Sequence, residues 1–493
     1  LGLRHYHIEA GKGFYLNGEK YPMYGVTRHQ DWWGMGSALK KEQHDTDLAM
    51  IMDIGATTIR LAHYQQSDYF YSRCDSLGLI VWAEIPFVNR VTGQERENAH
   101  SQLRELIRQS FNHPSIYTWG LHNEVYHPHQ YTTALTRELH ELAKTEDPDR
   151  YTVSVNGYGH AEHPVNMNAD IQGMNRYFGW YERKIQDIKP WVEKMEKEYP
   201  EQILMLTEYG GGANVAHQTE ILGETINSWE PFYPETYQTK LHEYQWSVIA
   251  SHPYIVASYF WNMFDFAADG RDEGGKNGEN QKGLVTFDRK IKKDAFYLYK
   301  AYWSKQPFVH TCGSRYVDRT EDVTEVRVYS NLPEVSLYKD GHLVETKKGD
   351  KVFVFNVPIT GKHSIEARAG AYSSVILVNK VAEPNPAYAM SNRQVVNNWF
   401  DGELDETCWS VKDNMAAAMA DAKVGPVLKA ITDKAAAARG DVAAAVKDNP
   451  ALVAMMERAM QRMTVESMLK QAGTDAESIK QLNRVLQGIK KDV

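Results

Sequence analysis

Cysteine is scarce in this sequence: only Cys74, Cys312 and Cys408 occur among 493 residues. They lie far apart, so they form neither a metal-ligand spacing nor a disulfide framework, and their odd number leaves at least one thiol unpaired. A chain stabilised mainly by disulfides is therefore not expected, and cysteine usage does not decide the redox compartment.

Long apolar runs and an excess of basic residues are also missing. No stretch approaches the ~20 apolar residues that a membrane-spanning helix requires, which predicts a chain without a membrane span. The 55 lysines and arginines are outnumbered by 64 aspartates and glutamates, for a net charge of −9. Because a nucleic-acid partner calls for a basic face, none is expected. The length predicts two to four domains.

Short apolar runs alternate with longer amphipathic segments through the first three fifths of the chain. The runs, which are strand candidates, are Tyr21–His29, Thr57–His63, Leu79–Pro86, Ile116–Glu124, Thr152–Gly157, Ile171–Tyr177, Ile203–Gly210 and Ile255–Asp265. Helix candidates between them include Lys41–Ile54, Asn98–Phe111, Tyr131–Ala143, Tyr181–Lys197 and Tyr237–Ser251. Alternation of this kind implies parallel strands, and eight repeats fit a closed (β/α)8 TIM barrel of the α/β class. A doubly wound sheet is the alternative, but no Gly-rich phosphate loop follows any strand.

The domain prediction extends beyond this barrel, which is assigned to residues 20–306. Downstream, apolar and polar residues alternate in short segments, with an Asp340-Gly341 hairpin turn. This pattern predicts an immunoglobulin-like β-sandwich at residues 307–383. Residues 384–493 begin with prolines and are then rich in alanine, methionine and lysine, so a linker followed by a helical C-terminal region is expected there.

Two strand candidates lead directly into a glutamate, Glu124 after the fourth and Glu208 after the seventh. One glutamate at a strand end is usually an ion-pair partner or solvated, but two at the mouth of one barrel are more specific. Retaining glycoside hydrolysis needs one carboxylic acid to protonate the leaving oxygen and one carboxylate to attack the anomeric carbon, ~5–5.5 Å apart. Their surroundings must also separate the two pKa values.

Four motifs around these positions resemble those of glycoside hydrolase family 2, in the expected order. They are Pro22-Met-Tyr-Gly-Val-Thr-Arg28-His29-Gln-Asp31, Thr58-Ile-Arg60-Leu-Ala-His63-Tyr64, Trp119-Gly-Leu-His-Asn123-Glu124 and Leu206-Thr-Glu208-Tyr-Gly. The resemblance covers roughly Leu3 to Gln306. The family holds bacterial β-galactosidases, β-glucuronidases and β-mannosidases, so the resemblance implies a retaining glycosidase with a carbohydrate substrate.

The resemblance also implies roles for single residues. Glu124 matches the acid/base and Glu208 the nucleophile, while Asn123 matches an asparagine that bonds the sugar 2-hydroxyl. Tyr177 matches a tyrosine that donates to the nucleophile, and Arg60 is similar to an arginine that keeps the nucleophile ionised. For Arg60 and Tyr177, a purely structural role is the alternative.

Three further positions are expected at the sugar pocket by the same resemblance. Trp261 is similar to the aromatic floor of the subsite, and His63 and Asp31 occupy pocket positions. For His29 and Asp265, in contrast, a structural role is favoured.

The sequence departs from the family pattern in two respects. The family carries a jelly-roll and a first immunoglobulin-like domain before the barrel, whereas residues 1–19 are expected to be only the remnant of such a β-sandwich domain. The metal-binding pattern that follows strand three in some β-galactosidases is not evident around Glu84-Ile-Pro-Phe. No required metal and no cofactor are therefore predicted.

Substrate choice depends on the segment Asn280-Gln-Lys282. Its Asn-x-Lys form is similar to the carboxylate clamp of β-glucuronidases, as is Arg176-Tyr-Phe-Gly-Trp-Tyr181. Asp269-Gly-Arg-Asp-Glu-Gly-Gly275, however, is similar to plain β-galactosidases, in which Lys282 would only anchor its loop. The hypothesis preferred here is cleavage of terminal β-D-galactosides, with β-glucuronidase as the alternative.

An alternative of another class is a non-catalytic carbohydrate-binding or scaffold fragment, against which the intact Glu124, Asn123 and Glu208 argue. The family resemblance is compatible with a homo-oligomer and with either the periplasm or the cytoplasm of a bacterium.

Overall fold

The protein is described here by a computed structural model that covers most of the chain. The described residues are 2–89, 91–125, 130–157, 163–220, 231–390, 404–437, 463–471 and 474–491, with isolated positions between these ranges. They divide into two compact units. The first comprises Leu1–Ser228, Phe232–Ala267 and Gln281–Met390, and the second comprises Trp229–Pro231, Ala268–Asn280 and Ser391–Val493.

A small antiparallel sheet precedes the barrel. Its strands are β1 (Tyr6–Glu9), β2 (Gly13–Leu16) and β3 (Glu19–Tyr21), paired in that order. Ile8 and Phe14 are buried in one apolar cluster with Tyr117 and Tyr259 of the barrel. This sheet therefore shares part of the barrel's core, while the prediction that residues 1–19 are a domain remnant stays a prediction.

Eight parallel strands close into a barrel, which confirms the predicted fold class. They are β4 (Tyr24–Arg28), β5 (Thr58–Leu61), β6 (Ile80–Glu84), β7 (Ile116–Asn123), β8 (Tyr151–Asn156), β9 (Ile171–Asn175), β10 (Leu204–Tyr209) and β11 (Ile255–Phe260). Each strand lies between its sequence neighbours, and β11 pairs with β4 to close the ring. Every predicted strand is present, most of them trimmed by a few residues at their ends.

Helices follow most of the barrel strands. They are α1 (Lys41–Ile54), α2 (Asp68–Leu77), α3 (Arg96–Ser110), α4 (Gln130–Glu146), α5 (Ile188–Glu198), α6 (Glu235–Ser251) and α7 (Asp294–Trp303), with short 3-10 turns at Pro164–Asn166, Ile185–Asp187 and Pro386–Ala389. In α1, Leu48, Ile51 and Ile54 recur at helical spacing and are buried. The helix ends at Gly55, whose φ of 88° suits glycine and whose N–H bonds to the last turn.

The helix predicted at Tyr181–Lys197 begins later than expected. Residues 181–184 form a turn in which the Gly179 N–H donates to the Glu182 carbonyl at 2.7 Å, and α5 starts only at Ile188. The prediction is wrong because Tyr181, the aromatic residue of this turn, packs against Tyr177 and beside the Lys282 ammonium instead of lying on a helix. The sequence pattern also does not predict α2 and α7.

A two-sheet β-sandwich follows the barrel within the first unit. Its strands are β14 (Val309–Thr311), β15 (Asp318–Arg319), β16 (Val323–Ser330), β17 (Glu334–Lys339), β18 (His342–Lys348), β19 (Lys351–Pro358), β20 (Lys362–Ala369) and β21 (Tyr372–Lys380). Earlier in the chain, β12 (Phe266–Glu273) and β13 (Lys276–Asn280) form a separate two-stranded sheet. One sheet has the order β14-β16-β19 and the other β15-β21-β20-β17-β18. Asp340 and Gly341 form the expected hairpin turn with φ of 51° and 78°.

The pattern of the sandwich explains what was and was not predicted. Residues such as Val328, Leu337 and Phe355 alternate along their strands and fill a common core. Strand β18 is not predicted because it is an edge strand with nearly every residue exposed, so no apolar alternation marks it. The immunoglobulin-like assignment of residues 307–383 stays a prediction.

Barrel and sandwich are joined by buried ion pairs around Arg315. Its guanidinium donates to Glu235 Oε2 at 2.9 Å and lies 3.5 Å from Asp294 Oδ1. Asp294 also lies 2.9 Å from Nε2 of His310, and its backbone N–H donates to Glu235 at 2.8 Å. Burial alone would raise the pKa of Asp294, but His310 and Arg315 lower it below its usual value.

Replacing Arg315 with methionine is expected to lower the free energy of unfolding by ~3–5 kcal/mol, because the buried Glu235 would lose its guanidinium partner and Asp294 would lose one of its two cationic neighbours, His310 and Arg315. Urea titration at neutral pH measures this loss. The matched control is Arg73→Met, which breaks a half-exposed pair with Asp45 and should cost less than ~1 kcal/mol. Equal losses in the two variants would contradict a special role for the barrel–sandwich pairs.

Described parts of the second unit include four helices. They are α8 (Met415–Ala420), α9 (Gly425–Ala437), α10 (Val465–Gln471) and α11 (Ala476–Leu486). Apolar residues of all four, among them Met415, Leu428, Leu469 and Leu482, share one core. Helices are thus present in the predicted region 384–493, although much of it, including 391–403 and 441–452, lies outside the described residues.

Within the described parts of the chain, no helix combines the length and apolar character that crossing a bilayer requires. Cys74, Cys312 and Cys408 are buried and unpaired.

Candidate active site

The carboxyl ends of the barrel strands bring several polar side chains to one face. Glu84 ends β6, Asn123 ends β7, Asn175 ends β9 and Glu208 lies near the end of β10, and all four are buried. Arg60 of β5 is also buried, with no exposed surface. Because parallel strands of a barrel end on the same side, residues far apart in sequence meet here.

Glu208 is held by two donors on its two oxygens. Arg60 Nη1 donates to Oε1 at 2.7 Å, and the Tyr177 hydroxyl donates to Oε2 at 2.6 Å. Burial, together with the charges of Glu208 and Glu124, raises the pKa of Tyr177 well above its usual value. Tyr177 therefore stays protonated and donates, and Glu208 is oriented by donors on both of its oxygens.

Arg60 connects Glu208 to a second carboxylate. Its Nε donates to Glu84 Oε2 at 3.1 Å and its Nη2 donates to Asn123 Oδ1 at 2.8 Å. Burial would lower the pKa of Arg60, but Glu84 and Glu208 raise it above its usual value, so the guanidinium stays charged. Likewise burial would raise the pKa of Glu84, but Arg60 and His63 lower it. The Arg60 guanidinium thus pairs with both Glu84 and Glu208.

Glu124 occupies a different environment from Glu208. Its side chain is partly exposed, and Oε1 accepts a hydrogen bond from Asn175 Nδ2 at 2.9 Å. Its φ of 50° lies in the left-handed region, which costs a glutamate ~1 kcal/mol, and its N–H donates to the Val155 carbonyl at 2.9 Å. A Cβ on Gly157 would lie 3.0 Å from the Glu124 carboxyl carbon, so glycine leaves room for this side chain.

A chain of amides connects the two glutamates. Asn175 Nδ2 lies 3.3 Å from Asn123 Oδ1, and Asn175 Oδ1 accepts from the Thr207 hydroxyl at 2.8 Å. Because Asn123 Oδ1 already accepts from Arg60, its amide nitrogen is the atom left to donate to a ligand. Glu124, Asn123 and Glu208 therefore belong to one connected network.

His63 and Trp261 form an aromatic wall beside this network. Their rings stack with centroids 5.0 Å apart, and the Arg60 guanidinium lies 5.9 Å from the Trp261 ring. His63 Nδ1 lies 2.6 Å from Glu84 Oε1. His29 packs edge-on against Trp261, and burial holds the pKa of His29 well below its usual value. The structure therefore brings His63 and Trp261 to the network around Arg60 and Glu84, and His29 to the packing of Trp261.

Asp31 lies on the loop after β4. Its Oδ2 accepts from the Ala267 N–H at 2.8 Å, and its backbone carbonyl accepts from Arg289 at 2.8 Å. Burial raises the pKa of Asp31 to about 6. Among the described residues, the buried Oδ1 has no hydrogen-bond partner, so this oxygen is available to a ligand.

Lys282 is the one predicted specificity residue that the structure brings to Tyr177. The side chain is buried, with its ammonium 5.8 Å from the Tyr177 ring centroid and 5.0 Å from that of Tyr181. Asn280 is buried at the end of β13, in the other compact unit, and its predicted role stays a prediction. The side chains of Asp269 and Asp272, in the motif that resembles β-galactosidases, lie outside the described residues.

Two residues of this network are missing from the sequence-based prediction. Glu84 ends a barrel strand as Glu124 and Glu208 do, so the same signal could have identified it. Asn175 stands two residues before Tyr177 at the end of β9, and its strand-end position was a usable signal. Their contacts with Arg60 and Glu124, in contrast, depend on strand neighbours in space.

Only one group among the described residues has the geometry to hold a metal ion. Asp294, His310 and Cys312 have ligand atoms within 4.8 Å of one another. Asp294 already accepts from the Gly313 N–H at 2.8 Å, and Arg315 lies 3.5 Å away. An adjacent guanidinium repels a cation, so these residues fit the barrel–sandwich junction better than a metal site.

Comparisons with known proteins agree with this geometry. The model of the glycosyl hydrolases family 2 TIM barrel domain matches residues 7–306. A Bacteroides fragilis protein named beta-glucuronidase is 39% identical over 379 residues, which are 74% of this chain and 54% of the relative.

Two solved structures superpose with a TM-score of 0.76 each. One, from Bacteroides fragilis and described as a "putative beta-galactosidase", is 66% identical. The match covers 78% of this chain and 59% of the other chain. The other, described as an FMN-binding beta-glucuronidase from Faecalibacterium prausnitzii L2-6, is 40% identical. The match covers 79% of this chain and 60% of the other chain. This chain thus spans about half of the curated relative's length.

The family model covers more than half of the chain, and the barrel it describes carries the connected pair Glu124 and Glu208. The chain therefore belongs to glycoside hydrolase family 2.

Proposed function

We propose that this chain is a retaining glycosidase that acts on β-D-glucuronides. The observation that carries the substrate class is the buried Lys282 ammonium beside Tyr177, whose hydroxyl donates to Glu208. A cation enclosed next to the sugar subsite favours a substrate that brings its own negative charge, and the C6 carboxylate of a glucuronide does so.

The proposed reaction proceeds by double displacement. Glu208 attacks the anomeric carbon while Glu124, as the carboxylic acid, gives its proton to the leaving oxygen, and a covalent glycosyl-enzyme forms. Glu124 then takes a proton from water, which attacks the same carbon and releases Glu208, so the product keeps the β configuration. The connection of Glu208 to Arg60 supports the role of an ionised nucleophile.

The remaining residues of the network are proposed to hold the sugar. The Asn123 amide nitrogen can donate to the 2-hydroxyl, because its oxygen already accepts from Arg60. Trp261 and His63 offer a flat wall for the ring face, and Asp31 Oδ1 offers an acceptor for an outer hydroxyl. These assignments extend the roles that the family motifs imply.

The names of relatives favour the glucuronide over the galactoside. Both the 39% identical curated relative and the 40% identical solved structure are named beta-glucuronidase. Cleavage of β-D-galactosides, preferred from the sequence alone, becomes the second candidate because the 66% identical solved structure is described as a "putative beta-galactosidase". A non-catalytic carbohydrate-binding fragment is the candidate of another class.

A panel of nitrophenyl β-D-glycosides tests the three candidates together. We expect the glucuronide to have the highest kcat/KM. Lys282→Ala should lower this value ~30- to 1000-fold, because the substrate carboxylate would be left unpaired in the pocket. The same substitution should change galactoside turnover only a few-fold, since that sugar carries no charge.

Lys290→Ala is the matched control, since Lys290 lies on the same segment but is exposed beside Asp288. It should leave both rates unchanged. A galactoside rate above the glucuronide rate in the unmodified protein would favour the second candidate. Absence of turnover on the whole panel, with sugar binding retained, would favour the binding fragment.

A further inference from the structure

A second lysine near the active site is buried without any exposed side-chain surface. Lys293, the residue before α7, directs its ammonium at three oxygen atoms. It donates to the Ala213 carbonyl at 2.8 Å, to Asp265 Oδ1 at 2.8 Å and to the Gln281 carbonyl at 3.0 Å. An ammonium has three N–H donors, so these three acceptors match its full hydrogen-bonding capacity.

The three acceptors belong to three different loops at the barrel mouth. Ala213 follows β10, the strand that carries Glu208, and Asp265 follows β11 and Trp261. Gln281 immediately precedes Lys282. One buried ammonium therefore ties the loop after the candidate nucleophile and the loop after the aromatic wall to the segment that carries the candidate specificity residue.

Independent contacts fix the same segment closely against its neighbours. The Ala213 N–H donates to the Gln281 carbonyl at 3.0 Å, and the Asn262 N–H donates to the Lys282 carbonyl at 3.1 Å. A Cβ on Gly283 would lie 2.0 Å from the Asp265 backbone nitrogen, so only glycine permits this approach. The backbone of residues 281–283 has little freedom to move while Lys293 stays in place.

A lysine–aspartate pair with almost no exposure carries a desolvation cost, and an apolar pair of similar volume often serves stability equally well. The charged pair adds a directional contact here, because the Lys293 ammonium donates to the carbonyl of Gln281, the residue before Lys282. The desolvation cost of the Lys293–Asp265 pair is explained if the position of the Gln281 carbonyl matters for the reaction.

We propose that Lys293, through Asp265 and the Gln281 carbonyl, is a positioning residue that sets specificity for the acidic sugar by holding Lys282 in register with Glu208. This inference rests on the proposed glucuronidase function. Lys293 does not touch the substrate. Its loss would let the 281–283 segment shift, so Lys282 would pair less well with the substrate carboxylate and the acidic sugar would bind more weakly.

The test is the double variant Lys293→Met with Asp265→Asn, which removes both charges while keeping the side chains similar in size. We expect KM for nitrophenyl β-D-glucuronide to rise about ten- to a hundredfold. Both kcat for the glucuronide and kcat/KM for the galactoside should change less than about threefold. A merely structural role would instead lower kcat for both substrates alike or lower the melting temperature alone.

The matched control is Lys292→Met, which removes the neighbouring lysine and its pair with Asp53, 2.6 Å away. It should leave the glucuronide-to-galactoside ratio unchanged. An unchanged ratio in the folded double variant would overturn the inference.

If the double variant fails to fold, Gln238→Leu provides the second measurement. Gln238 donates to the Gly283 carbonyl at 3.3 Å and to the Gly211 carbonyl at 2.8 Å, so its loss should loosen the 281–283 segment at Gly283 and raise glucuronide KM in the same selective way. An unchanged ratio in this variant would then overturn the inference.

Lys282→Ala, measured in parallel, separates the two proposals. If Lys282→Ala is selective for the glucuronide but the Lys293 and Gln238 variants are not, only the positioning role fails. If Lys282→Ala is itself unselective, the glucuronidase function fails and the positioning role fails with it.

Discussion

Replacing Glu208 with glutamine is expected to lower kcat/KM more than ~1000-fold on every glycoside that the protein cleaves. A loss of this size corresponds to ~4 kcal/mol of transition-state stabilisation. The expectation follows from the chemistry of the amide, which has nearly the shape of the carboxylate but cannot attack the anomeric carbon. Steady-state kinetics on an activated aryl glycoside measures the loss.

The geometry of Glu208 explains why the expected loss is large. Arg60 and Tyr177 each donate to one of its oxygens, so the carboxylate is oriented before a substrate arrives. A 2-deoxy-2-fluoro glycoside, which slows release of the covalent intermediate, should therefore label Glu208 in a peptide map of the unmodified protein and leave the variant unlabelled.

Glu84→Gln is the matched control for this prediction. Glu84 is also a buried carboxylate bonded to Arg60, 3% exposed against 6% for Glu208. Glu84 contacts Arg60 and His63. Its loss should therefore lower kcat/KM only about ten- to a hundredfold, through misplacement of these two side chains. A label on Glu84, or a product of inverted configuration by NMR, would disprove the assignment of Glu208.

Replacing Glu124 with glutamine is expected to separate the two halves of the reaction. Hydrolysis of an unactivated disaccharide should fall by ~100- to 10,000-fold, because its leaving oxygen needs a proton that the amide cannot give. A dinitrophenyl glycoside needs no such proton, so it should still form the covalent intermediate and release its phenolate in a rapid burst.

Azide provides the measurement that identifies Glu124 as the acid/base. The second step needs a base to activate water, and azide needs none, so the variant should accumulate a β-glycosyl azide. The unmodified protein, in which ionised Glu124 repels the anion, is the control and should form little of this product. Full activity of Glu124→Gln on the disaccharide, or an α-glycosyl azide, would contradict the assignment.

Local patterns were sufficient to predict most of the fold. The eight barrel strands are buried apolar runs separated by amphipathic segments, and periodicity over a few residues identifies such elements without knowledge of their partners. Strand β18 escaped prediction because an edge strand exposed on both faces carries no such period. The predicted start of α5 at Tyr181 is wrong because Tyr181 packs beside the Lys282 ammonium, and the helix begins only at Ile188.

The site follows the same division. Glu124 and Glu208 could be selected from the sequence because each follows an apolar run, and a barrel fixes which end of a strand carries chemistry. Arg60 and Tyr177 were selected through motif resemblance, and their contacts with Glu208 are compatible with the roles expected of them. The variants above test the catalytic roles of Glu124 and Glu208, and the roles of Arg60 and Tyr177 stay predictions.

The sequence by itself determined the order of elements, the barrel class and the two strand-end glutamates, because these depend on side-chain periodicity along the chain. Only the tertiary structure decided that Glu84 shares Arg60 with Glu208, and that Lys293 holds the backbone beside Lys282. Those contacts cross between barrel strands or loops and depend on distances of about 3 Å. No pattern along one chain encodes such distances, since they arise only when the closed barrel brings separate strand ends to one face.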